Sequence, residues 1–228
     1  MKDEGVSPAT ADAGRRGLAG PLTEISLVVL CVLVAEWAVL PLFGKSYLAG
    51  LLPVCAAYAL MFLSHRARGE SPRDLGWRVD NLWRALCLLL PPMIAAALLL
   101  ALAGWLSGSL RGVRFGPALA ATFLWLFLWG LVQQYPLQGF INRRAQMLWG
   151  RGGRSTLFVA SVFALLHLPN PWLTAATFCG GLLWAWAYQR APNLLAAAFS
   201  HSVMTLVLVT TVPYSALGGM RVGYGYFL

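Results

Sequence analysis

After Asp80 the chain has no acidic residue: all eight Asp and Glu lie at or before that position. This excludes paired-carboxylate acid–base chemistry and carboxylate-assisted metal ligation from the C-terminal two thirds, unless an upstream residue folds back. Charge of either sign is scarce, at 11% of residues, where soluble domains run near a quarter. Cysteine is equally uninstructive. Cys31, Cys55, Cys87 and Cys179 stand singly, without CxxC or ligand-like spacing, so neither a disulfide framework nor a thiolate metal site is indicated. They read as small apolar packing residues. Residues 1–22 lack an apolar core, so no cleavable signal peptide is read there. There is no internal repeat and no sign of a second domain.

What remains is hydrophobic: 59% of the residues, with mean hydropathy +0.67. Runs of roughly 20 apolar residues cross a bilayer as helices, and helices are the element that satisfies its own backbone there. Seven are read, over 23–43, 47–64, 82–105, 117–141, 155–168, 172–189 and 193–212. The expected fold is an all-α polytopic transmembrane bundle, with residues 1–22 a disordered cytoplasmic tail and 213–228 an irregular C-terminal tail. The fifth helix is short, which suggests tilt or burial. With the N-terminus cytoplasmic, thirteen of the 17 Lys and Arg fall on the inner side, as the positive-inside bias requires. The +9 net charge therefore needs no nucleic-acid partner; the arginines orient the chain and meet anionic headgroups. Arg143 and Arg144 are assigned this role.

Three places carry possible chemistry. In the fourth helix, Gln133 and Gln134 are followed by Pro136 and Gln138. Gln134 and Gln138 are four apart, share a face and could bond each other. Pro136 should free the carbonyl of Val132. The second place is Phe163 to His167, before Leu168-Pro169-Asn170-Pro171. The third is His201 with Thr205 one turn on. Each has a plain alternative: the glutamines as interhelical glue, His167 as a satisfied or interfacial helix-end residue, and Thr205 bonded back to the carbonyl of His201. At ~1.5 Å per residue, Gln133 and His201 lie roughly 12 Å from the cytoplasmic ends and His167 roughly 18 Å. All three clusters thus fall in one slab. An intramembrane His is by default a candidate functional residue.

The order of these clusters resembles the CPBP family of intramembrane endopeptidases, relatives of the CAAX prenyl protease. That family carries Glu-Glu-x-x-x-Arg, then Phe-x-x-x-His, then His-x-x-x-Asn. Phe163 and His167 match the second motif, and His201 opens the third. The flanking runs Asp74-Leu75-Gly76-Trp77-Arg78, Gly139-Phe140 and Gly180-Gly181 through Tyr188 to Leu194 are similar too, so the likeness spans roughly 71–208. It implies a water attack on a peptide bond, activated by the first Glu and a His, with the second His and the Asn holding the oxyanion. Here Gln133 and Gln134 replace the glutamates, Gln138 the Arg and Thr205 the Asn. An amide cannot serve as the general base.

His167 would then act alone as base, with His201 and Thr205 as oxyanion donors. Glu36, mid-helix, is an alternative acid or base whose neighbour could be an imidazole. Two His without carboxylate or thiolate are thin ligation for zinc, so no metal or cofactor is expected. The leading expectation is an endopeptidase in a bacterial inner membrane, cutting a membrane-anchored or lipidated protein or peptide. A pseudoprotease that binds a membrane partner is the alternative. A small-solute transporter subunit is third, disfavoured by the lack of a charge pair or inverted repeat.

Overall fold

The computed structural model describes residues 18–228 except Lys45, Arg114 and the side chain of Tyr47. Most of the expected N-terminal tail, residues 1–17, lies outside the described residues. Seven helices follow: α1 (Pro21–Phe43), α2 (Tyr47–Ala67), α3 (Leu82–Leu106), α4 (Pro117–Trp149), α5 (Gly153–Leu165), α6 (Pro171–Arg190) and α7 (Leu194–Thr211). Local chemistry marks their ends. Pro occupies the first turn of α1, α4 and α6, where its missing N–H costs nothing. Asn170 and Asn193 cap α6 and α7 by accepting from the backbone N–H of Leu173 and Ala196, satisfying donors that a helix start leaves orphaned.

Five helices, α1 to α4 and α7, are long and apolar enough to span a membrane. This is an integral, multi-pass membrane protein. α5 has only 13 residues, as its short run suggested. α6 has a span's length but is not among those apolar enough by composition. It packs instead along α5 and α3. The other principal pairings are α4 and α3 against α7, and α1 against α2. Gly218–Met220 and Gly223–Phe227 form short 3₁₀ turns, and Asn170 donates to the carbonyls of Leu217 and Arg221.

Two runs far apart in sequence are clamped together. Leu194 donates its backbone N–H to the carbonyl of Gly76, Tyr188 its hydroxyl to Leu75, and Asn193 its amide to Arg78. Gly76 has φ +89°, and a Cβ there would lie 3.1 Å from the Asn193 nitrogen. Only glycine allows that approach without strain. The loop before α3 thereby fixes where α7 begins.

One sequence expectation is corrected here. Arg144 is not an orienting surface charge: its side chain is fully buried. It bonds Glu24 at 2.8 Å, Glu70 at 2.9 Å and Ser64 at 3.0 Å. Arg143 pairs with Glu70 at 2.7 Å and Arg68 with Glu24 at 3.0 Å. A solvated role was read because the partners lie 74 to 120 positions away. These bonds join the start of α1, the end of α2 and the end of α4 on one face, as alternating spans require. Glu24 lies in the first turn of α1, which begins at Pro21, inside the expected tail.

Candidate active site

The site is built where α4 changes its winding. From Tyr135 to Asn142 the helix is π-helical, a form that recurs at functional sites. Pro136 lies in its first turn and has no N–H to give. The carbonyl of Val132, expected to be free, accepts instead from the Tyr58 hydroxyl of α2 at 2.6 Å. Above the π segment, α4 and α7 approach closely. A Cβ on Gly130 would sit 2.9 Å from the carbonyl oxygen of Ala198, so the missing side chain sets the helix spacing. One turn on, Gln134 reaches His201.

The Gln134–Gln138 pairing expected from their spacing is not formed. The Gln134 amide N–H donates to Nδ1 of His201 at 3.1 Å. The Gln138 oxygen accepts from Asn142 at 2.8 Å. Asn142 in turn accepts from Gln189, which also donates to Ser155. Gln138 thus belongs to a buried amide network joining α4, α5 and α6. The atoms left over, Gln134 Oε1 and Gln138 Nε2, are buried without a partner among the described residues. Each glutamine found a better-placed partner on a neighbouring element or turn than the other.

Phe163 touches both imidazoles: its ring centroid lies 4.7 Å from that of His167 and 6.1 Å from that of His201, each edge-on. The two histidines are held differently. Nδ1 of His167 lies 2.7 Å from the Phe163 carbonyl. A carbonyl only accepts, so Nδ1 carries the proton and Nε2 keeps its lone pair. Nδ1 of His201 faces an amide donor and must accept, which puts the proton of the neutral ring on Nε2. One ring therefore offers a free base and the other a free donor. Trp184 stacks on His201 at 4.8 Å and 16°, and its indole N–H is pinned by Ser200 at 2.8 Å.

The other predicted residues stand as follows. Gln133 and Thr205 are half-buried and make no hydrogen bond with a described residue. The anticipated Thr205 bond to the carbonyl of His201 is therefore absent among them. Glu36 lies in a π-helical turn of α1, Val34–Ala38, packed against Gly223. Its Oε2 is buried and unpartnered, and the imidazole proposed as its neighbour is not among its contacts. Trp184, Ser200 and Asn142 were missed in the sequence; an aromatic or a small polar residue in an apolar helix gives no signal of its own. No three His, Cys, Asp or Glu among the described residues come together as a ligand set.

Residues 116–207, from the start of α4 through most of α7, match a family model described as Rce1-like, type II CAAX prenyl endopeptidase Rce1-like. This region is Rce1-like. No curated protein and no solved structure matches the chain. The Rce1-like region holds every residue of the imidazole site, including the Gln134 donor and the Trp184 stack. The matched region is thus also where the imidazoles and their amide and aromatic partners meet. Where the CPBP pattern has carboxylates, the Rce1-like region here has amides, and only Gln134 of them touches an imidazole among the described contacts.

Proposed function

We propose that the protein is an intramembrane endopeptidase that hydrolyses a peptide bond with two neutral histidines and no carboxylate. The complementary nitrogens carry this reading: a lone pair on Nε2 of His167 and an N–H on Nε2 of His201, with Phe163 against both rings. Nε2 of His167 takes a proton from water as its oxygen attacks the carbonyl carbon. The oxyanion that forms accepts from His201 Nε2–H, a donor oriented before the charge develops. As the C–N bond breaks, the proton on His167 passes to the departing amine. The Phe163 carbonyl holds the ring of His167 but cannot stabilise an imidazolium as a carboxylate would, so turnover is slow. The substrate is a membrane-anchored or lipidated protein or peptide of a bacterial inner membrane, cut near the face that gathers the arginines.

Incubation of the purified protein in lipid nanodiscs with lipid-anchored and unanchored peptides tests the reading. In water labelled with heavy oxygen, each new C-terminal carboxylate should carry one labelled atom. His201→Ala should slow cleavage roughly 10²-fold, as loss of an oxyanion donor does. A cleavage rate unaffected by His201→Ala would contradict the mechanism. A second reading, capture of a membrane peptide without cutting, is favoured by the amides at positions 133 and 134. It predicts peptide binding with no labelled product.

A further inference from the structure

A cavity of about 630 Å³ does not border the imidazole site. It lies between α2 and α4 beneath the loop leading to α3, lined by Tyr58, Phe62, His65, Arg66, Trp77 and Tyr135 among others. Its walls are apolar and aromatic: Tyr58 stacks on Tyr135 at 5.8 Å, and Trp77 meets Tyr135 at 6.3 Å. Phe62 on α2 and Val132 on α4 are also exposed, so the cavity opens sideways between two spanning helices.

Its polar end is unbalanced. Glu24 and Glu70 are the carboxylates of the adjoining cluster, and Arg68, Arg143 and Arg144 bind them. Arg66, on the cavity wall, makes no ion pair or hydrogen bond with a described residue. With Asp74, whose carboxylate feels both Arg143 and Glu70, four guanidiniums face three carboxylates, an excess of one positive charge. His65, also on the wall, is 4% exposed. Its Nδ1 is held by Glu70 at 2.6 Å, while Nε2 is buried with no partner. A buried nitrogen without a partner is costly, and Arg66, exposed at the cavity's mouth, holds a charge with no described counterion.

We propose that this cavity binds one anionic phospholipid, its phosphate against Arg66 and one acyl chain along Phe62, Leu131 and Val132. Basic pockets between membrane helices suit such headgroups, and Trp77 and Tyr135 are amphipathic rings of the kind found at headgroup level. The ligand fills the space between α2 and α4 beside the Tyr58 hydroxyl bond and the contacts of Tyr58 and His65 with Tyr135. It leaves the imidazole site free.

The test is native mass spectrometry of the full chain released from vesicles of mixed phosphatidylglycerol and phosphatidylcholine. One phosphatidylglycerol should be retained per protein. Arg66→Ala should lower that occupancy roughly fivefold, the worth of one arginine near a membrane surface. Val132→Trp, which fills the cavity from its exposed wall, should do the same while eluting as a folded monodisperse species. Arg84→Ala, an exposed arginine on α3, should change nothing. Equal retention by wild type, Arg66→Ala and Val132→Trp would overturn the proposal. So would full displacement by inorganic phosphate alone, which would mark a free-phosphate site. Lipid retention that appears only after deletion of residues 1–17 would overturn it too, since the tail would then be the occupant.

Discussion

At the scale of single residues, the account turns on which nitrogen of each imidazole is free. Gln134 sets this for His201, so Gln134→Leu should leave that ring without its orienting donor. A roughly tenfold lower kcat with little change in KM is expected, about the worth of one hydrogen bond. Steady-state cleavage of a lipid-anchored peptide measures it. Gln133→Glu should raise turnover, by up to roughly 10²-fold if a carboxylate base is what the site lacks. No change would show that position 133 does not face the reacting atoms. Much of this site was legible beforehand, because His is rare in apolar helices and 167 and 201 stood out. The roles of the glutamines were not. A four-residue spacing suggested that Gln134 and Gln138 pair, but spacing within one helix says nothing of a neighbour such as His201 on α7. Trp184 and Ser200 gave no signal for the same reason: their function lies in what they touch.

At the scale of helices, close approach and buried charge position the site. Gly130→Ala would put a methyl 2.9 Å from the Ala198 carbonyl oxygen. Forcing α4 from α7 should cost about 1–3 kcal/mol and separate Gln134 from His201. Thermal unfolding in detergent reads the first effect and cleavage rate the second. Arg144→Ala would leave Glu24 and Glu70 short of a buried partner, a loss of about 3–5 kcal/mol. Arg143→Ala should cost less, since its side chain is partly exposed. The seven helices were readable from hydropathy, and Asn170, Asn193 and the prolines marked several starts. The charged cluster was not readable, because Glu24, Glu70 and Arg144 share no motif and meet only when α1, α2 and α4 are packed. The same holds for Gly76 and Asn193, whose flanking runs were noticed separately and prove to be one clamp.

For the whole molecule, that cluster predicts how stability responds to acid. Burial alone would raise the Glu70 carboxyl. Hydrogen bonds from His65, Arg144 and Arg143, with the Arg144 charge, outweigh it and hold the group well below its ordinary value of 4.5. A depressed folded value means the stabilisation is complete well above pH 4.5 and is lost as pH falls below it. The melting temperature in detergent should therefore decline on the acid side of 4.5, and Glu70→Gln should weaken that dependence. Residues 116–207 of the bundle are Rce1-like, and in the proposed mechanism imidazoles take the part that carboxylates play in the CPBP pattern. The most direct test compares membranes containing wild type with membranes containing His167→Ala, scoring membrane proteins by intact mass. The account predicts defined truncated products in wild type that fall by roughly 10² to 10⁴-fold in the variant, with the variant folded and equally abundant. Identical product profiles from a folded His167→Ala would contradict it.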